Sequence, residues 1–135
     1  MADKLLDFGK LKVYSIKERK NLVKIEQFAK LVKPSKQFKN FFASLPDILC
    51  AADFKTIIKA IVKAHKEGRK VGLAIGAHVV KCGLAPIIID LMERGIINCV
   101  SMNGSVAIHD YEISLIGETS EDVADGINDG SFGMA

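Results

Sequence analysis

The sequence predicts an α/β fold built on a parallel sheet, and three observations carry that prediction. An apolar run through Val71–Ile75 ends in Gly76, an apolar helical segment ends at Gly95, and a second apolar run from Ile96 to Met102 ends in Asn103-Gly104. Strand, helix, strand in that order is a parallel pair joined by a crossover helix. Open α/β sheets usually bind ligands in the loops at the carboxyl ends of such strands. Function is therefore expected near residues 76–78 and 103–110.

The chain has 135 residues, the length of one domain, and 49% of them are hydrophobic, enough for a core. It contains no run of eighteen apolar residues, and its opening MADKLLDFGKLK lacks an apolar segment followed by a small-residue cleavage site. A cytoplasmic protein without membrane contact is expected. Cys50, Cys82 and Cys99 are odd in number and lie in apolar sequence, which suits reduced core thiols better than a disulfide framework. No CxxC pair suggests zinc.

The net charge of +3 hides a split, because residues 1–70 hold seventeen Lys or Arg against seven Asp or Glu, and residues 71–135 hold two against nine. Such asymmetry suits either a nucleic-acid surface or two faces of opposite sign that meet each other or a neighbouring subunit. The lysines are dispersed along amphipathic segments and not clustered with aromatics, so no nucleic-acid partner is expected.

Taken in order, residues 1–50 form a basic amino-terminal region. Leu5, Leu6, Phe8, Leu11, Val13, Tyr14 and Ile16 are scattered apolar positions of an extended arm, ordered only if tied down. Leu22, Ile25, Phe28, Ala29 and Val32 have helical spacing up to Pro34. Ser35 caps a second short helix whose Phe38, Phe41, Phe42 and Leu45 face the core or another subunit. Asp53 caps the helix carrying Ile57, Ile58, Ile61, Val62 and His65, and Gly68 stops it. Pro86 fits the first turn of the crossover helix. Residues 105–116 read as a further helix, and the acidic, glycine-rich stretch from Gly117 reads as a loop or mobile lid. Two strands are few for a parallel sheet. The sequence therefore reads as the amino-terminal portion of a larger α/β unit, the alternative being a small domain completed by oligomerisation.

The turn Gly76-Ala77-His78-Val79 matches neither the GxGxxG fingerprint nor a Walker A loop. A glycine at a strand end still leaves backbone donors able to approach phosphate or ribose. His78 and Cys82 have helical spacing, but no further metal ligands accompany them. His109-Asp110, followed by Glu112, places imidazole and carboxylates just past a strand end, where they can orient a polar substrate or transfer a proton. The alternative is a helical turn with its polar side in water.

The words GAHVVKCGLAPIIIDLMERGIINCVSMNGSVAIHDYEISLIG, with TSEDV and DGSFGMA behind them and VYSIKERKNLV and FFASLPDIL ahead, resemble the first half of the deoxyhypusine synthase family. The likeness is greatest to its bacterial deoxyhypusine synthase-like branch. That resemblance implies a Rossmann-like parallel sheet with flanking helices, of the NAD/FAD-binding kind, with residues 51–135 as its amino-terminal part. It further implies a homotetramer, NAD at subunit interfaces, and transfer of an aminobutyl group from a polyamine such as spermidine. Aligned without gaps, the family's cofactor turns fall on Gly76, Ala77, His78 and Val79 and on Asn103, Gly104 and Ser105. Its acidic run falls on Ile108, His109 and Asp110, which makes His109 and Asp110 the candidate catalytic pair. The family's catalytic lysine lies in a later half, so the segment alone is expected to be inactive. A non-catalytic oligomeric scaffold that keeps the fold is the other reading.

Overall fold

A computed structural model describes residues 8–135, so Leu5 and Leu6 lie outside the described residues. The fold is mixed α/β. Its helices are α1 (Lys36–Ser44), α2 (Leu49–Lys66), α3 (Ala77–Lys81), α4 (Ala85–Glu93), α5 (Gly104–Ile116) and α6 (Val123–Gly126). Its strands are β1 (Asn21–Lys24), β2 (Gly72–Ile75), β3 (Cys99–Met102) and β4 (Glu118–Glu121). They make two small sheets, β2 with β3 parallel and β1 with β4 antiparallel.

The parallel pair runs in register from Gly72 opposite Cys99 to Ile75 opposite Met102. Between its strands the crossover is divided in two. Gly83, at φ +82°, breaks the helical path after α3, and Pro86 lies in the first turn of α4. Helix α3 packs on α5, where Val80 and Val106 are buried. Asn103 caps α5 and Gly117, at φ +72°, ends it.

The segment with helical spacing from Leu22 to Val32 is not a helix. Residues 21–24 form β1, and Ile25–Gln27 form one 3-10 turn. Asn21 and Val23 are half-buried while Leu22 and Lys24 are exposed, an alternation that the positions 22, 25, 28 and 29 conceal. The partner strand lies far along the chain, with Asn21 opposite Glu121 and Lys24 opposite Glu118. The stretch after Gly117 is correspondingly β4 and α6, not a loop throughout.

Charge complementarity explains why so polar a segment adopts a strand. Lys24 pairs with Glu118 at 3.2 Å, and Lys20 with Asp122 and Asp125 at 2.9 Å each. The opposite charges of the two halves of the sequence meet here, within one chain.

Ser35 does cap α1, its hydroxyl accepting from the Phe38 amide at 3.1 Å. Ser35→Ala is expected to cost about 1 kcal/mol in the stability of that helix. Hydrogen exchange checks this, with faster exchange confined to the first turns of α1. Asp53, by contrast, is not a cap, since α2 begins a turn earlier at Leu49. Lys55 joins the two helices. It is buried and donates to the Leu45 carbonyl just past α1 and to Asp47 at 2.8 Å. Phe42 meets Phe54 edge-on at 5.6 Å, while Phe38 and Phe41 are exposed. All three cysteines are free thiols and all are exposed, so the expectation of core thiols fails: apolar neighbours in sequence do not fix which side of an element faces inward.

Candidate functional site

The carboxyl edge of β2–β3 is assembled from two adjacent turns. Gly76 follows β2 directly and is the first residue before α3, while Asn103 follows β3 and caps α5. The Asn103 side-chain oxygen accepts from the Val106 amide at 3.3 Å, so it is committed to the helix. The amides of Gly104 and Ser105 belong to the first turn of α5, which has no intrahelical acceptors for them. A Cβ added at Gly76 or at Gly104 would meet no atom within 4 Å, so both turns border open space. His78 is exposed at this edge. Val79 turns its carbonyl to the Leu84 amide at 3.0 Å and so shapes the turn between α3 and α4.

His109 and Asp110 diverge. Consecutive side chains on a helix point about 100° apart, and each of these two faces a different cavity. Asp110 enters an apolar cavity of about 250 Å³ bounded by the strand ends Ile75 and Met102, by Val106 of α5, and by Ile88 and Ile89 of α4. His109 faces another side of the helix, toward β4 and β1.

On that second side a polar network runs from α5 through both strands. Thr119 is fully buried, and its hydroxyl donates to Glu112 Oε2 at 2.5 Å. Because a hydroxyl has one proton, the 2.7 Å contact between Thr119 and His109 Nδ1 is a hydrogen bond donated by the imidazole. That fixes the tautomer of a neutral His109 and leaves its Nε2 lone pair available. Arg19 completes the network, with Nη1 on Glu112 Oε1 at 2.8 Å and Nε on Asn21 at 2.8 Å. Burial of Glu112 pushes its pKa up. The bonds from Arg19 and Thr119, with the Arg19 charge, outweigh that and hold it below the ordinary glutamate value of 4.5.

Sequence reasoning singled out Glu112 in the cluster with His109 and Asp110, and the structure puts Glu112 with His109, at i and i+3 on one helix face. It missed Arg19 and Thr119. Arg19 lies among basic residues and Thr119 among acidic ones, and only the long-range pairing of β1 with β4 brings either to α5. Among the described residues, no three His, Cys, Asp or Glu side chains form a group that could hold a metal ion.

The fold and these edges define a mixed α/β protein with a parallel strand–helix–strand unit. Against known proteins, the chain is similar to an ornithine cyclodeaminase of Methanothermobacter thermautotrophicus, 33% identical over 63 residues. The match covers 47% of this chain and 15% of that protein. No family model matches the chain, and no solved structure matches it. These findings overturn the resemblance to deoxyhypusine synthase. The words that carried it are apolar strands closed by short glycine turns, which any parallel α/β unit requires, so they do not separate one family from another. Polyamine transfer and the tetramer were implied by that resemblance alone.

Proposed function

We propose that this chain is a Rossmann-like nucleotide-binding segment of an enzyme, with NAD held at the carboxyl edge of β2–β3. The in-register pairing of Ile75 with Met102 carries the proposal, because it sets the Gly76 turn beside the Asn103-Gly104 turn. A diphosphate would take the free amides of Gly104 and Ser105 at the positive end of α5. The neighbouring apolar cavity suits an uncharged ring, and Asp110 on its wall suits a ribose hydroxyl. Asp110 is the member of the candidate pair at this cavity, while His109, with Nδ1 held by Thr119, stands on another face of α5 and does not reach the cofactor edge. The partial likeness to a cyclodeaminase fits a segment that serves an enzyme. Among the described residues no helix is long and apolar enough to cross a membrane.

Calorimetry and NADH fluorescence test this reading directly. The wild-type chain is expected to bind saturably, and Gly76→Leu to bind at least tenfold more weakly with an unchanged circular dichroism spectrum, since the new side chain occupies space the protein itself leaves open. Absence of heat with millimolar NAD would remove the cofactor. A non-catalytic oligomeric module is the second reading, favoured by the exposure of Ile48, Leu49, Phe54 and Ile57 on or beside α2. Light scattering that shows a stable oligomer, with no heat from NAD, selects it.

A further inference from the structure

A separate cavity of about 570 Å³ lies on the His109 side of α5, between β1, β4 and the segment after α6. Arg19, Lys81, His109 and Ser120 contribute to its polar wall, and Ile108 and Phe132 to its apolar wall. Its hydrogen bonds do not balance. Glu112 and Glu121 also border it, and each of their four carboxylate oxygens already accepts a hydrogen bond: those of Glu112 from Arg19 and Thr119, those of Glu121 from the Tyr14 hydroxyl at 2.8 Å and the Gly133 amide at 2.9 Å.

The donors are what remain. Arg19 is 9% exposed, and its Nη2, like the Ser120 hydroxyl, is buried without a hydrogen-bond partner among the described residues. Lys81 has no ion pair or hydrogen bond from its ammonium among them either. A buried polar group left unpaired is destabilising. Ser120 adds a second cost, because its φ of +63° lies in the left-handed region, which disfavours a residue with a Cβ. Unpaired donors and backbone strain thus converge on one cavity, a combination characteristic of binding sites.

The chemistry of the occupant follows from this imbalance. Spare donors call for an acceptor. Arg19 and Lys81 are offset in formal charge by Glu112 and Glu121, which favours a monoanion over a dianionic phosphate. The apolar wall favours a ligand with a hydrocarbon part. We propose that this cavity binds a small carboxylate with a short aliphatic body, its oxygens on Arg19, Ser120 and Lys81 and its aliphatic part against Ile108 and Phe132. Arg19 Nη2 and the Ser120 hydroxyl are both screened from bulk water, so pairing them with the ligand includes a movement of both side chains.

The test titrates the full chain with sodium butyrate, and in parallel with butanol, sodium phosphate and sodium chloride, following backbone amides by nuclear magnetic resonance. Butyrate is expected to give saturable shifts around Ser120 and Lys81 at concentrations where chloride and butanol give none. Lys81→Met and Ser120→Ala are each expected to weaken butyrate about tenfold, and neither removes the Arg19–Glu112 pair. Butyrate no tighter than chloride, or equalled by butanol, overturns the proposal, and so does unchanged affinity in both variants. Phosphate binding tighter than butyrate overturns the carboxylate assignment and leaves a phosphate site in its place.

Discussion

Glu112→Ala is expected to lower the unfolding free energy by about 3–5 kcal/mol, the cost of breaking a buried ion pair from one side. The Arg19 side chain is 6% exposed and that of Glu112 13%, so neither charge can turn to water when its partner goes. The substitution also takes the acceptor from Thr119, which is fully buried. Urea unfolding followed by circular dichroism measures the loss. A loss below 1 kcal/mol would show that the pair contributes little beyond its own desolvation. Arg19→Met combined with Glu112→Leu removes both charges and should recover much of the loss, since apolar replacement of a whole buried pair is often neutral or stabilising. The same residue sets an acid limb. Its folded pKa lies below the ordinary 4.5, so its contribution is fully present above that pH and is lost as pH falls through the folded value. Glu112→Ala should flatten that part of the stability profile.

Gly83→Ala is the second large effect. At φ +82° the alanine pays for a left-handed backbone, and its Cβ would stand 3.0 Å from the Phe28 Cα and 3.3 Å from the Phe28 ring. A ring can rotate away, but a Cα can yield only by moving the chain. That chain is fixed at the same place, where the Gly83 carbonyl accepts from the Ala29 amide at 2.9 Å. The expected cost is roughly 2–5 kcal/mol, from the left-handed backbone and overpacking together. Gly95 serves as the comparison, with φ +67° and no atom within 4 Å of an added Cβ. Gly95→Ala should cost only the backbone part, about 1–2 kcal/mol. Equal losses at the two positions would refute the contact with Phe28.

The difference between what the sequence showed and what it hid follows the range of the interactions involved. The β2–α3–α4–β3 unit was legible because each piece declares itself locally: short, largely apolar runs, a glycine within two residues of the end of each, and Pro86 at a helix start. Strands β1 and β4 were not, because β1 is half polar and β4 wholly so, and each finds its partner far along the chain, with Asn21 reaching Glu118 across 97 positions. The same distance hid half of the polar network. His109 and Glu112 could be paired from helical spacing, but nothing near Arg19 or Thr119 in sequence points to α5. His109 and Asp110 formed one candidate pair through the aligned acidic run and their position past a strand end, yet adjacency on a helix turns their side chains toward different cavities. Asp53 was plausible as a cap by residue type, and Lys55, two positions on, holds the end of α1 instead.

The β1–β4 pairing also imposes an order on how the chain comes together during its own synthesis. The parallel unit is made of consecutive segments and can close as soon as Met102 has emerged, whereas β1 has no partner until Glu118–Glu121 follow. At about 5–20 residues per second, the interval between Lys24 and Glu118 is roughly 5–20 s. For that time the nascent strand Asn21–Lys24 is an unpaired edge, and the lysines at 20 and 24 discourage other chains from pairing with it.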